Sequence, residues 1–135
     1  MYLFAYGSLR MGMKYHDVLR GARLAFPRAW VQGALYDTRE GYPGMIAGQD
    51  QVMGEIYQID LAILKRVDEL EDYYGLSHPD NLYERVEMLV HLPEQEQIPA
   101  FVYFYKDRDF LIKKGIYIHS GDWAQYVMQV GKDSF

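Results

Sequence analysis

The stretch Tyr2-Leu3-Phe4-Ala5-Tyr6-Gly7-Ser8 decides the fold prediction, because it combines a strand that starts almost at the first residue with an immediate turn. Aromatic and aliphatic residues favour β-structure, and a Gly-Ser pair directly after them is typical of a loop. We therefore predict a buried strand over residues 2–6, followed by a loop over residues 7–13.

Further strands are predicted wherever β-preferring residues alternate with polar ones. They cover residues 23–36, as one bent strand or two with a bulge, and residues 52–59, 83–92 and 98–105. Residues 38–51 are rich in glycine and are predicted to be mostly loop, with a short strand at 45–47. Helices are predicted over residues 14–20, 61–72 and 123–130, with Gly21 ending the first, Gly75 helping to end the second, Asp60 capping the second and Ser120 or Asp122 capping the third.

These strands follow one another without the long intervening helices that mark a parallel sheet. The sequence therefore predicts an α+β fold: a small mixed, largely antiparallel β-barrel flanked by two or three helices. A barrel would bury many aromatic side chains and leave few exposed strand edges. Because the chain has 135 residues, we expect one domain over residues 1–135.

The composition excludes several classes of function. The chain has no cysteine, which rules out a thiolate nucleophile, an iron–sulfur cluster and a cysteine zinc site. His16, His78, His91 and His119 lack metal-ligand spacing, so no metal is expected and most are predicted to lie at the surface. A net charge of −5 argues against a nucleic-acid partner. The apolar N-terminal run is too short for a signal peptide or membrane span, so we expect no membrane partner and a cytoplasmic location.

Glu71 stands out because it falls on the apolar face of the predicted second helix. At about 100° per residue, with Leu61 at zero, it lies at roughly 280°. That angle is inside the arc formed by Ile63, Leu64, Val67 and Leu70. Desolvation there would raise the carboxyl pKa toward the range useful for proton transfer. Alternatively, Glu71 swings out at the last turn or accepts hydrogen bonds from a neighbouring strand.

Glu55 is the rival carboxylate. It lies in the middle of the strand predicted over residues 52–59, and strand parity alone allows it to face inward. A buried strand carboxylate of this kind more often ties strands together, so we expect Glu55 to belong to a structural network.

Two further groups of residues are candidates for binding. Gly7, within Tyr6-Gly7-Ser8-Leu9, permits close approach of a ligand, so consecutive backbone N–H groups can point at one carboxylate or oxyanion; the alternative is a plain turn. Tyr83 and Arg85 share a strand face, from which they could supply a hydroxyl and a cation to a cavity. The alternative for this pair is a position on the solvent side.

In order and spacing, several motifs resemble the γ-glutamylcyclotransferase superfamily, in particular its small bacterial and plant-like AIG2-type members. The resemblance spans about residues 1 to 105. Its motifs are Phe4-Ala5-Tyr6-Gly7-Ser8-Leu9-Arg10, Gly33-Ala34-Leu35-Tyr36-Asp37, Tyr42-Pro43-Gly44, Gly54-Glu55-Ile56-Tyr57, Val67-Asp68-Glu69-Leu70-Glu71-Asp72-Tyr73, Tyr83-Glu84-Arg85-Val86 and Ala100-Phe101-Val102-Tyr103-Phe104-Tyr105.

The resemblance implies an enzyme that cyclises a small-molecule γ-glutamyl amine or amino acid to 5-oxoproline and releases the amine. The nucleophile is the α-amino group of the substrate, so neither a metal nor another cofactor is required. The acid/base residue of the family matches Glu71, its substrate-binding loop matches residues 6–9, and Tyr83 matches a tyrosine that helps to order the site. Glu55 matches a structural position.

Two departures concern the rim of the expected site: Asp72 stands where the family usually has glycine, and residues 74–81 form a longer segment than in many relatives. Because a fold does not establish a function, a second hypothesis is a non-catalytic small-ligand-binding or interaction domain on the same fold. An exposed Glu71, or a Glu71 paired with Arg85, would favour it. A third hypothesis keeps the catalysis with another γ-glutamyl substrate. We expect a monomer or weak homodimer.

Overall fold

The computed structural model describes residues 1–133. Most of the predicted elements are present, and the differences lie mainly in their bounds. In chain order the strands and helices are β1 (Tyr2–Ala5), β2 (Arg23–Asp37), β3 (Pro43–Gln58), α1 (Leu61–Leu70), β4 (Tyr83–His91), β5 (Gln97–Tyr105), α2 (Arg108–Lys114), β6 (Ile116–Tyr117) and α3 (Trp123–Asp133). Single 3₁₀ turns cover His16–Leu19 and Pro93–Gln95.

Five strands close into a barrel in the order β3-β1-β5-β4-β2, with β2 pairing back to β3. β1 and β5 run parallel, and the other neighbouring strands are antiparallel. The β2–β3 hairpin is the longest pairing, whereas β2 meets β4 at the pair Trp30↔His91. β6 extends the sheet from β2. The predicted α+β barrel with flanking helices is confirmed.

Strand alternation divides the apolar side chains into two clusters. One face of the strands fills the barrel, as Phe4, Val31, Ile56 and Val102 do, and Trp123 of α3 joins this cluster. The opposite face packs under α1, whose Ile63, Leu64 and Val67 contact strand residues such as Leu3, Ala5, Tyr57 and Tyr103. Burial on both faces of β1 explains why its sequence is apolar throughout.

α1 begins where the sequence predicts, because the Asp60 carboxylate accepts a hydrogen bond from the backbone N–H of Ile63 at 2.9 Å. It ends at Leu70, two residues earlier than predicted. Asp72 adopts a left-handed backbone with φ 49°, and its N–H donates to the Glu69 carbonyl at 3.3 Å. The reversal that ends the helix therefore occurs at Asp72, and the prediction that Gly75 helps to end it was wrong.

The prediction of mostly loop over residues 38–51 was wrong, because Pro43–Gln58 is one continuous strand. Its first half pairs with β2 as far as Pro43↔Asp37. The pairing has three register shifts, two with the extra residue on β2 and one, between Gly33 and Ala34, with the extra residues on β3. Gly44 lies against the Tyr105 ring, where an added Cβ would come within 2.9 Å of ring carbon Cδ1. The glycines that predicted loop therefore serve close packing in this strand.

Two helical predictions also need correction. Residues 111–112, for which no helix was predicted, belong to α2, where the Asp107 carboxylate accepts from the Phe110 N–H at 3.0 Å. The predicted helix over residues 14–20 is a single 3₁₀ turn. At α3 the cap is Asp122, whose carboxylate accepts from the Gln125 N–H at 3.2 Å. Among residues 1–133, no helix is long and apolar enough to span a membrane.

Candidate active site

A cavity of about 30 Å³ lies where β1 runs into its loop, and we call it the inner cavity. Residues 4–9 form one wall, and Pro43, Glu71, Tyr83 and Tyr103 form the rest. All of these residues are buried except Ser8 and Glu71, which are half-buried. The cavity therefore combines an enclosed wall with one carboxylate.

A second cavity of about 110 Å³ adjoins the first and is called the outer cavity. The two cavities share Ser8, Glu71 and Tyr83. The other lining residues of the outer cavity are half-buried, so it lies nearer to solvent. They are Tyr15, Tyr42, Leu70, Asp72 and Leu82.

Glu71 joins the two cavities. It follows the last residue of α1, and its side chain has the inward direction that the helix periodicity predicts. Among the described residues its carboxylate has neither a hydrogen bond nor an ion pair. Burial, together with the like charges of Asp72 and Asp68, raises the pKa of Glu71 to about 8. This carboxyl can therefore take up and release a proton near neutral pH.

The loop after β1 offers hydrogen-bond donors to the inner cavity. The carbonyls of Gly7 and Ser8 accept from Arg10 N at 3.0 Å and Tyr15 N at 2.8 Å. Among residues 1–133, the N–H groups of Gly7, Ser8 and Leu9 have no acceptor. Gly7 is needed for packing as well, since an added Cβ would lie 2.5 Å from Cγ of Pro43. Three consecutive free donors can together bind one anionic oxygen.

Two tyrosines fix the shape of the inner cavity. The Tyr6 hydroxyl donates to the Tyr103 carbonyl at 2.6 Å, and the Tyr83 hydroxyl donates to the Pro43 carbonyl at 2.5 Å. Burial raises the pKa of both Tyr6 and Tyr83 well above the ordinary value, so both hydroxyls stay protonated. These bonds tie the cavity wall to β3 and β5.

Glu55 lies away from both cavities, in a fully paired position. Its carboxylate accepts from Met11 N at 2.9 Å, from the Tyr57 hydroxyl at 2.8 Å and from Arg10 Nε at 3.2 Å. The Arg10 Nη1 atom also pairs with Asp122 at 2.9 Å. As predicted, Glu55 is a network residue, and it anchors the loop that carries the free N–H groups.

The structure does not bring Arg85 into either cavity. Its Nη1 atom pairs with Asp68 of α1 at 2.5 Å, and its guanidinium lies 4.9 Å from the ring centroids of Tyr73 and Phe101. The Tyr103 hydroxyl donates to the same Asp68 carboxylate. Strand parity placed Arg85 on the Tyr83 face correctly, but α1 covers that part of the face. Arg85 thus holds α1 on the sheet and is not paired with Glu71.

Apart from Asp72, which was noted at the rim, eight lining residues were not assigned to the site from the sequence: Phe4, Ala5, Tyr15, Tyr42, Pro43, Leu70, Leu82 and Tyr103. Tyr42, Pro43 and Tyr103 lie in two of the motifs that carry the family resemblance, Tyr42-Pro43-Gly44 and the strand motif of residues 100–105. These motifs could have pointed to the site, but neither was assigned to it.

None of the four histidines lines the inner or the outer cavity. His119 is exposed as expected, whereas His16, His78 and His91 are half-buried; His16 Nδ1, for example, lies 2.9 Å from the Leu9 carbonyl. Within residues 1–133, no three histidine or acidic side chains gather closely enough to hold a metal ion.

Comparison with known proteins gives consistent results. The family model for γ-glutamyl cyclotransferase, AIG2-like, matches residues 3–125. A γ-L-glutamyl-butirosin B γ-glutamyl cyclotransferase of Niallia circulans is 36% identical over 127 residues, which cover 94% of this chain and 78% of that protein. An uncharacterized protein of Pyrococcus horikoshii is 26% identical with TM-score 0.71, covering 98% of this chain and 97% of the other. An AIG2-like protein of Mus musculus is 22% identical with TM-score 0.69, covering 88% and 85%.

Proposed function

The chain belongs to the AIG2-like γ-glutamyl cyclotransferase family, and from that premise we propose that it converts a γ-glutamyl amine or γ-glutamyl amino acid to 5-oxoproline, with Glu71 as the acid/base residue. One observation carries the proposal: an unpaired carboxylate with a pKa of about 8 lines the same cavity as three consecutive residues whose backbone N–H groups are free. Family membership supports the reaction class, and the cavity geometry supports the choice of Glu71.

The proposed reaction needs no nucleophile from the protein. The α-amino nitrogen of the substrate attacks its own γ-carbonyl carbon, and a new C–N bond closes the five-membered ring. When the tetrahedral intermediate collapses, the original amide C–N bond breaks and the amine leaves. Glu71 takes one proton from the α-ammonium before the attack and gives it to the leaving nitrogen, so the carboxylate is restored. The second proton that the ring nitrogen loses on becoming a lactam N–H passes to the released amine, which leaves as an ammonium. A carboxyl pKa of about 8 is well matched to this double role.

The free N–H groups of residues 7–9 have a complementary task. They are placed to bind the glutamyl carboxylate or the oxyanion that develops on the γ-carbonyl oxygen. Either contact would hold the flexible glutamyl chain folded, with its amine close to the γ-carbonyl, which removes much of the entropic barrier to ring closure. Because Glu71 lies between the cavities, the carboxylate or the oxyanion of the glutamyl part would enter the small inner cavity, and the leaving group would extend into the outer one.

An exposed Glu71, or a Glu71 paired with Arg85, would have favoured the alternative hypothesis of a non-catalytic binding domain. Glu71 is half-buried, and Arg85 pairs with Asp68. Neither condition for that alternative is met, so no observation favours it over catalysis.

The test is mass spectrometry of 5-oxoproline after purified protein is incubated with a panel of γ-glutamyl amines and γ-glutamyl amino acids. Glu71→Gln removes the charge with little change in volume, and we expect it to lower turnover by about 10²–10⁴-fold. Glu69→Gln is the matched control, since Glu69 lies on the same helix and is exposed. The proposal fails if no member of the panel yields 5-oxoproline, or if Glu71→Gln is as active as the control while circular dichroism shows both folded.

A further inference from the structure

The described residues that line the outer cavity include acidic side chains and no basic ones. Its lining includes two carboxylates, Glu71 and Asp72, and no lysine or arginine among the described residues. Because its pKa is about 8, Glu71 is mostly protonated at neutral pH, which leaves Asp72 as the standing charge. The remaining walls are aromatic or aliphatic, so little else there would screen that charge.

Asp72 is held in place at the rim. Its backbone is left-handed, with φ 49°, its carbonyl accepts from the Leu82 N–H at 3.0 Å, and the Tyr74 hydroxyl donates to its carboxylate at 3.0 Å. Aspartate tolerates this conformation better than most residues. The carboxylate therefore stays beside Glu71, and the effect of its charge on the pKa of Glu71 agrees with that proximity.

Basic groups near the outer cavity do not cancel this charge. Lys14 lies over the Tyr15 ring, with Nζ 5.2 Å from the centroid, but it does not line the cavity. Arg10 and Arg85 are engaged in ion pairs with Glu55, Asp122 and Asp68. On the acidic side, the charge of Glu40 contributes to the raised pKa of Tyr42, another lining residue. The field in the outer cavity is therefore negative.

We propose that Asp72 is a specificity-determining residue, and that the outer cavity selects leaving amines that carry a second positive charge over those that carry a carboxylate. This inference rests on the proposed cyclisation, because it concerns the part of the substrate that leaves. It predicts that γ-glutamyl derivatives of diamines and other polycationic amines are better substrates than γ-glutamyl amino acids.

Three substrates of similar length isolate the charge. Their leaving groups are 1,4-diaminobutane, n-pentylamine and 4-aminobutyrate, which present an ammonium, a methyl group and a carboxylate at the far end. We expect kcat/KM to fall in that order, with about 10-fold or more between the first and last, since each 1.4 kcal/mol is tenfold. Competition assays with mixed substrates give the ratios directly.

Asp72→Asn is the decisive variant, because asparagine also tolerates the left-handed backbone. We expect it to reduce the ammonium-to-carboxylate ratio of kcat/KM about 10-fold or more, toward unity. Any change in the protonation of Glu71 would act on all three substrates alike and would cancel in this ratio. Tyr74→Phe removes the hydrogen bond to Asp72 and keeps the charge, so it should largely retain the wild-type ratio.

The outcomes separate the two proposals. If the wild type forms 5-oxoproline but shows no preference, prefers the carboxylate, or keeps its ratio after Asp72→Asn, then the inference about Asp72 is overturned and the cyclisation stands. If none of the three substrates nor the wider panel yields 5-oxoproline, the proposed function fails and the inference fails with it.

Discussion

Two carboxylates, Glu55 and Glu71, point into this protein, and they differ most in their hydrogen-bond partners. Glu55 is only 8% exposed and has three hydrogen-bond donors, whereas the half-buried Glu71 has none among the described residues. Burial alone therefore does not distinguish a structural carboxylate from a candidate catalytic one. The distinction lies in whether the desolvation of the charge is offset by partners.

The two regions are also connected. Glu55 anchors Arg10 and Met11, the residues that directly follow the loop of free N–H groups, and Glu71 lines the cavity that this loop also lines. One carboxylate thus stabilises the loop, and the other is left available for the chemistry proposed there. Each of the following experiments tests this division of roles.

The largest effect on stability is expected at Glu55. Glu55→Gln removes the charge that pairs with Arg10 and replaces an acceptor by an amide, and we expect it to lower the free energy of unfolding by about 3 kcal/mol. Urea denaturation at pH 7 measures this change, with the exposed strand residue Glu87 mutated to Gln as control. A loss no larger than that of the control would contradict a structural role for Glu55.

For Glu71 we expect the opposite effect on stability: removal of its charge should raise the free energy of unfolding. The folded protein keeps the Glu71 proton up to about pH 8, whereas an unfolded glutamate releases it near 4.5. Between these values the folded state binds more protons, so wild-type stability falls as the pH rises. Glu71→Gln lacks this loss and should be about 1–3 kcal/mol more stable than wild type at pH 8, with no difference at pH 4. If the urea midpoints of Glu71→Gln and wild type differ by the same amount at pH 4 and at pH 8, the raised pKa of Glu71 is contradicted.

The smallest effect is expected on the pH at which kcat/KM reaches its plateau. If Glu71 is the base, kcat/KM should rise about tenfold per pH unit below pH 8. Asp68→Asn removes a like charge that raises the pKa of Glu71, so the profile should shift toward lower pH. Steady-state rates between pH 5.5 and 9 on one γ-glutamyl substrate provide the test. A flat profile, or a shift toward higher pH, would show that Glu71 does not set the titration.

Short-range sequence patterns were sufficient to predict α1 and the inward direction of the Glu71 side chain. The Asp60 cap and the apolar periodicity both depend on residues within one or two turns, and the structure agrees with each. The strand over residues 43–51 could not be predicted in the same way. Its glycines and Pro43 break the local strand pattern, and only the pairing with β2 and the packing against Tyr105 explain why they are tolerated.

The candidate site shows the same limit. Residues 6–9 and Glu71 could be named from the sequence because a motif and a helix face identify them. The pairing of Arg85 with Asp68 depends on how α1 lies across the sheet, so strand parity alone could not reveal it. Asp72 was noticed as a departure, and its left-handed backbone now gives the physical reason why glycine would also suit that position.

The narrow contact between β2 and β4 has a consequence for how the barrel forms. Trp30 and His91, the register pair that joins these strands, stack with ring centroids 4.0 Å apart and lie on either side of α1 in the sequence. The β2–β3 hairpin closes a short loop, but this junction must bring together distant segments, and the entropic cost of closure grows with their separation. We therefore expect the hairpin to form early and the Trp30–His91 junction to close late. In the native state, amide protons beside that junction should exchange with solvent before those of the hairpin.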